Sequence, residues 1–305
     1  MSMTSVERLK LPYVLITPAR NEEAFIVRTI ESMIAQTVIP EKWVIVDDGS
    51  TDSTGSIAES YMQDREWIEL VRLPRRQERH FAAKVQGFSK GFERVKELPY
   101  AVIGNLDADI EFDAGYMEYL LGKFRENPRL GVAGTPFVED GSKPYDYRYT
   151  NIEHVSGACQ LFRRECFEDI GGYTPIRNGG IDWVAVTTAR MKGWQTRTFT
   201  DKTCRHHRKI GTGDCNALHA WYRNGRKDYC IGNHPLWELF RCVYQTRSRP
   251  YLIGATALLL GYLRAGIART QRSVSPDLVA FLRAEQMQRL RRILKSKVSA
   301  SRKDV

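Results

Sequence analysis

The 305-residue chain mixes 42% hydrophobic with 27% charged residues, a globular balance with no low-complexity tract and no internal repeat, and its length allows one or two domains. The net charge of +10 is uneven: Arg283 to Lys303 carries eight basic residues against one acid, Glu285, which suggests an anionic surface, a phosphorylated ligand or a solvated tail. Cys159, Cys166, Cys204, Cys215, Cys230 and Cys242 form no CxxC pair and read as reduced thiols, and no apolar run of signal-peptide length precedes the first charges, so a cytoplasmic location is expected.

In chain order, "YVLIT" (13–17) reads as a short buried strand. "EEAFIVRTIESMIAQ" follows with apolar residues at helical spacing: Phe25, Ile26, Ile30, Met33 and Ile34. "KWVIVDD" is a second strand, and "STDSTGSIAESYM" a helix with Ser and Thr caps. "IELVRL", "FAAKVQGFSKGFERV", "YAVIGNLD" and "AGYMEYLLGKF" continue the alternation as strand, helix, strand and helix. "LGVAGTPF" and "SGACQLFRR" read as further strands, "IDWVAVTTARMKG" as a helix and "QTRTF" as a strand. From about Cys215 the pattern is largely helical. The expectation is an α/β domain over residues 1–214, with a mostly parallel sheet flanked by helices, and a helical extension over 215–305.

Ligands of such sheets bind beyond the carboxyl ends of the strands. The residues there are "PARNEE", "DDGSTD" and "DADIEFD". In "VDDGSTD", Asp48–Gly49 suits a turn and Ser50 a helix cap. Those roles leave two adjacent acids, Asp47 and Asp48, that can accept hydrogen bonds from a nucleobase imide or a ribose hydroxyl. Asp107 and Asp109, two apart at the end of a central strand, can jointly face a hard divalent cation, and such a cation neutralises a departing diphosphate. No G-x-G-x-x-G or G-x-x-x-x-G-K-[ST] loop follows a strand, so basic side chains would share the diphosphate charge. Arg79 and Lys84 are the candidates.

"TPARNEE", "VDDGSTDST", "AAKVQGFSKGF", "NLDADIEFD" and "GACQLFRRECFEDIGGY", in this order over residues 11–209, resemble the inverting glycosyltransferases of family 2. The resemblance implies a GT-A (Rossmann-like) fold, a nucleotide-sugar donor, taken as a UDP-sugar, and a divalent metal, Mn²⁺ or Mg²⁺. It implies that Asp48, with Asp47, holds the base and that the turn of Pro18, Arg20 and Glu22 packs on the nucleoside. Asp107 and Asp109 would serve ribose, diphosphate and metal. The family's Glu-Asp pair after "GGY" corresponds here to Ile181–Asp182, which makes Asp182 the expected base toward the acceptor hydroxyl. In "CRHHRKIGTGD", His206 or His207 would complete the metal site. Cys204, His206, His207 and Cys215 match no standard zinc spacing.

The implied acceptor is a glycan, perhaps a lipid-linked oligosaccharide in cell-surface polysaccharide assembly. "YLIGATALLLGYL" is too short to span a bilayer, so a buried or interfacial helix is expected. The segment from Ser275 combines Leu278, Phe281, Leu282, Leu290, Ile293 and Leu294 with its basic cluster, an expected contact for an anionic membrane surface. No aromatic–basic platform accompanies it, so nucleic acid is not an expected partner. Rival readings are a sugar-phosphate nucleotidyltransferase, which lacks its glycine-rich basic loop here, and a non-catalytic binding protein on the same fold, suggested by the missing Glu before Asp182.

Overall fold

The computed structural model describes residues 11–75, 82–139, 151–176, 179–208, 217–246 and 251–301. The chain divides into two compact units, Met1–Arg177 with Ile181–Lys209, and Asn178–Gly180 with Ile210–Val305. The boundary expected at 214/215 lies outside the described residues.

The first unit runs β1 (Tyr13–Ala19), α1 (Ile26–Ile34), β2 (Lys42–Asp47), α2 (Thr54–Ser60), β3 (Ile68–Arg72), α3 (Ala82–Val95), β4 (Val102–Leu106), β5 (Ile110–Glu111), α4 (Tyr116–Glu126), β6 (Leu130–Gly134), β7 (Phe137–Val138), β8 (Cys159–Arg163), α5 (Arg164–Asp169), α6 (Ile181–Met191), β9 (Gln195–Thr198) and β10 (Cys204–His206). Seven strands form one sheet in the order β3-β2-β1-β4-β8-β6-β9. β8 alone runs against its neighbours β4 and β6. The small sheet β5-β10-β7 stands apart.

Strand side chains alternate between faces, so β1 serves two cores. Tyr13 and Leu15 pack on one face with Ile26, Ile30 and Met33 of α1 and Leu120 and Phe124 of α4. Val14 and Ile16 pack on the other with Phe88 of α3, Phe167 of α5 and Val186 of α6. Each such side chain contributes roughly 1.5–3 kcal/mol by leaving water. Cover on both faces explains the uninterrupted apolar runs of the central strands.

Three local expectations are corrected. α1 begins at Ile26, because the backbone N–H groups of Glu22 and Glu23 donate to Thr54 and Asp52 instead of opening a helix. α2 begins at Thr54 without a side-chain cap from Ser53, and Asp52 accepts from the Thr54 backbone N–H at 3.1 Å. Ser50 instead accepts from the Asn21 N–H. "LGVAGTPF" is two strands: Pro136 has no N–H for the ladder, and Phe137 pairs in the small sheet.

The second unit holds α7 (Ala217–Cys230), α8 (Pro235–Gln245), α9 (Tyr251–Ile267) and α10 (Pro276–Ser301). α9 crosses α7 through a glycine pair: a Cβ at Gly225 would lie 1.8 Å from the Leu258 carbonyl, and one at Gly261 2.1 Å from that of Tyr222. Asp228, Asn233, Glu238 and Gln286 are all buried. Gln286 donates to Asn233 Oδ1 at 2.7 Å, and Arg241 lies between Asp228 and Glu238. At the start of α10, Leu278, Val279 and Leu282 are buried in packing, whereas further along Leu290 and Ile293 are partly buried and Leu294 is exposed.

Candidate active site

The exits of β1 and β2 are stitched together. Asp48 donates its N–H to the Ala19 carbonyl at 2.8 Å, and Thr51 donates to Asn21 Oδ1 at 2.8 Å. Asn21 adopts a φ of 55°, left-handed backbone that asparagine tolerates better than most residues. Pro18 and Arg20 are half-buried, whereas Asp47 and Asp48 are buried. Asp47 Oδ1 accepts the Ser50 N–H at 2.9 Å, closing the turn.

β4 delivers the acidic stretch. Its last turn is fixed from β8's side, where Asp107 donates its N–H to the Ala158 carbonyl at 2.8 Å. Lys84, from α3, forms an ion pair with Asp107 Oδ1. Burial pulls the Lys84 ammonium down, but Asp107, with Asp182 and Asp109 close by, holds it above the ordinary lysine value. Asn105 donates to Asp107 Oδ1 at 3.1 Å and to the Gly157 carbonyl at 2.6 Å. Gly157 in turn donates its N–H to Asp182 Oδ2 at 3.2 Å, at the head of α6. Arg79 lies outside the described residues.

β10 pairs antiparallel with β5, setting His206 opposite Ile110. One ligand atom each from Asp107, Asp109 and His206 lies within 4.8 Å of the others. Two observations fit this trio to a divalent cation. His206 Nε2 and Asp109 Oδ2 are 3.6 Å apart, near but not hydrogen-bonded. The buried His206 Nδ1 lies 3.6 Å from Glu139 Oε1 and has no hydrogen-bond partner among the described residues. Burial, then the Asp107 charge, pushes Asp109 above the usual carboxylate range. A carboxylate pair with one imidazole is a donor set for Mg²⁺ or Mn²⁺.

His207 turns elsewhere. Its ring stacks on Phe25 with centroids 6.0 Å apart, Nε2 lies 2.9 Å from Glu111, and Nδ1 lies 3.1 Å from Arg28. Along extended chain, alternate residues share a side, so Arg208 returns to the side of His206. It reaches Glu22 Oε2 at 2.6 Å and approaches Asp109 Oδ2 at 3.7 Å. Burial first, and then Asp109, carries Glu22 up to about 7. Sequence reasoning missed Asn105, Gly157 and Arg208. Only Arg208 left a signal, as the basic residue two beyond His206.

Residues 14–155 match the family model described as glycosyl transferase family 2. Poly-β-1,6-N-acetyl-D-glucosamine synthase of Staphylococcus epidermidis is 24% identical over 174 residues, covering 50% of this chain and 39% of the relative. The Staphylococcus aureus protein of the same name, from strain COL, is 24% identical over 170 residues with the same coverage. The chain therefore spans about two-fifths of the length of these curated relatives. Among solved structures, S. aureus TarS 1-349 in complex with UDP-GlcNAc superposes with a TM-score of 0.55 at 14% identity, covering 91% of this chain and 81% of that one. Mannosyltransferase PcManGT from Pyrobaculum calidifontis, in complex with GDP-Man and Mn²⁺, gives 0.53 at 19% identity, covering 88% and 78%. These likenesses show the fold. Over residues 14–155 this chain is therefore similar in sequence to glycosyl transferase family 2, and its first unit has a GT-A fold.

Proposed function

We propose that this protein is an inverting glycosyltransferase that moves a sugar from a UDP-sugar to a hydroxyl of a glycan acceptor. The observation that carries the reading is the convergence of Asp107, Asp109, His206 and Lys84 at the sheet's exit, tied through Asn105 and Gly157 to Asp182. Asp48 and the turn of Pro18, Arg20 and Glu22 receive the nucleoside, while Asp47 closes the loop that presents them. Asp107, Asp109 and His206 hold the divalent cation, which when bound neutralises charge on the diphosphate. Lys84 and Arg79 supply further positive charge to it.

Asp182 accepts the proton of the acceptor hydroxyl as that oxygen bonds to the anomeric carbon. The bond from that carbon to the diphosphate oxygen breaks with its electron pair going to the diphosphate, and attack from the opposite side inverts the configuration. Residues 1–214 carry this reaction and residues 215–305 form an extension. The acceptor is a lipid-linked oligosaccharide, met at an anionic membrane surface, in assembly of a surface polysaccharide. The S. epidermidis relative, a poly-β-1,6-N-acetyl-D-glucosamine synthase by name, and the UDP-GlcNAc in the TarS complex support the donor class.

The test is a thermal-shift screen of nucleotide sugars with and without Mn²⁺, followed by product NMR with the stabilising donor. A ligand binding only the folded state stabilises it by RT ln(1 + [L]/Kd). Cation-dependent stabilisation by a UDP-sugar and a product of inverted configuration are expected. No stabilisation by any nucleotide sugar would overturn the proposal.

A further inference from the structure

Of the fourteen large hydrophobic side chains exposed among the described residues, ten lie on α8 and α9. They are ordered. On α9, Leu252, Ile253, Leu260, Leu263 and Ile267 line the outer face, with Leu252 69% and Ile267 85% exposed. The opposite face of α9, with Ala255, Leu258 and Gly261, is buried, and Gly261 crosses α7. On α8, Leu236, Leu239 and Val243 recur at helical spacing and are each at least half exposed.

Charge accompanies this apolar surface. α7, α8 and α9 contain two acids, Asp228 and Glu238, and both are buried. Their exposed faces therefore carry no carboxylate, while Arg223, Arg226 and Arg264 are exposed, as are Arg269 and Arg272 just beyond α9. The half-buried rings of Trp237 and Phe240 pack together beside the α8 stripe. An isologous contact with a second copy would set arginine against arginine, whereas lipid phosphates complement them. Among the described residues no helix is long and apolar enough to cross a membrane.

We infer that α8 and α9 form an interfacial membrane-docking surface, with the apolar stripes entering the headgroup–acyl boundary of an anionic leaflet and the arginines meeting its phosphates. The surface centres on α8 and α9; on α10, Leu278 and Leu282 are buried, and among its described large apolar side chains only Leu294 is exposed. This deepens the membrane part of the proposed function but does not depend on sugar transfer, since vesicle binding is measured without donor or acceptor.

The experiment is flotation of the full chain with vesicles of phosphatidylcholine, alone or mixed with phosphatidylglycerol. Wild type should float with the mixed vesicles and detach in high salt, because screening shortens the reach of exposed charges. The triple variant Leu252→Ser, Leu260→Ser, Ile267→Ser alters only exposed positions, so an unchanged circular-dichroism spectrum is expected. Its partitioning should fall at least about tenfold, as binding scales with apolar area entering the interface. Arg264→Gln with Arg269→Gln should erase the preference for phosphatidylglycerol. Absent flotation, or equal flotation of wild type and the triple variant, would overturn the inference. So would a wild-type dimer in sedimentation velocity that the triple variant makes monomeric without changing vesicle binding, which would assign the face to a second copy.

Discussion

Gly157 and Asp182 meet across the first unit: the glycine's N–H donates to Asp182 Oδ2 at 3.2 Å, and a Cβ at Gly157 would lie 3.1 Å from the Asp182 Cβ. The same glycine's carbonyl accepts from Asn105, which also holds Asp107. The two backbone groups of one residue thus position the proposed base relative to the proposed metal ligands. Asp182→Asn keeps size and can still accept from Gly157, but loses the proton acceptor. Turnover should fall by at least about 10²-fold, the scale for losing a general base, with donor affinity preserved in calorimetry. Gly157→Ala should turn the carboxylate and lower kcat about tenfold or more, as expected for a displaced catalytic group. Near wild-type transfer by Asp182→Asn would move the base elsewhere.

The two adjacent histidines separate the metal site from its surroundings. Titration with Mn²⁺ alone should give binding to wild type that is lost in Asp109→Ala and weakened at least about tenfold in His206→Ala, since each removes a ligand. His207→Ala should retain it, because the ring stacks on Phe25 and bonds Glu111. Equal loss from His206→Ala and His207→Ala would contradict the trio.

Helix crossing in the second unit depends on absent side chains. At Gly225 an added Cβ would collide with the Leu258 carbonyl, so α7 and α9 must separate to admit it. Gly225→Val should therefore destabilise the helical unit by about 1–3 kcal/mol or more. Thermal unfolding followed by circular dichroism would register it, and an unchanged midpoint would mean the helices cross more loosely.

Glu238 gives the second unit a pH dependence. It is fully buried, Oε1 has no hydrogen-bond partner among the described residues, and burial together with Asp228 pushes it from 4.5 to about 7. The folded state thus binds the proton more tightly than the unfolded chain. Its contribution is fully present below about pH 4.5 and is lost as pH rises through 7, by an amount on the order of 3 kcal/mol. Glu238→Gln should flatten this part of the stability curve. The comparison is thermal unfolding of wild type and variant between these limits, and parallel curves would show that Glu238 does not titrate in this range.

By itself the sequence determined the alternation of strands and helices, the acidic exit of β4 and the Asp at the head of α6. Each is written in local chemistry: apolar runs must be covered, and a carboxylate at a strand exit is placed by the strand itself. The starts of α1 and α2 were less legible, because Glu22, Glu23 and Thr54 exchange hydrogen bonds between loops that are adjacent only in the folded sheet. Tertiary structure alone decided which histidine joins Asp107 and Asp109. Adjacent residues of an extended chain point to opposite sides, and only the pairing of β10 with β5 fixes which side faces the carboxylates. The same holds for the C-terminal helices. Both α9 and α10 read as apolar stretches near basic residues, yet α10 turns Leu278 and Leu282 inward while α9 buries its small residues with Leu258 and leaves Leu252, Leu260 and Leu263 to solvent. Apolar content shows that a face seeks cover, and packing decides whether another helix provides it.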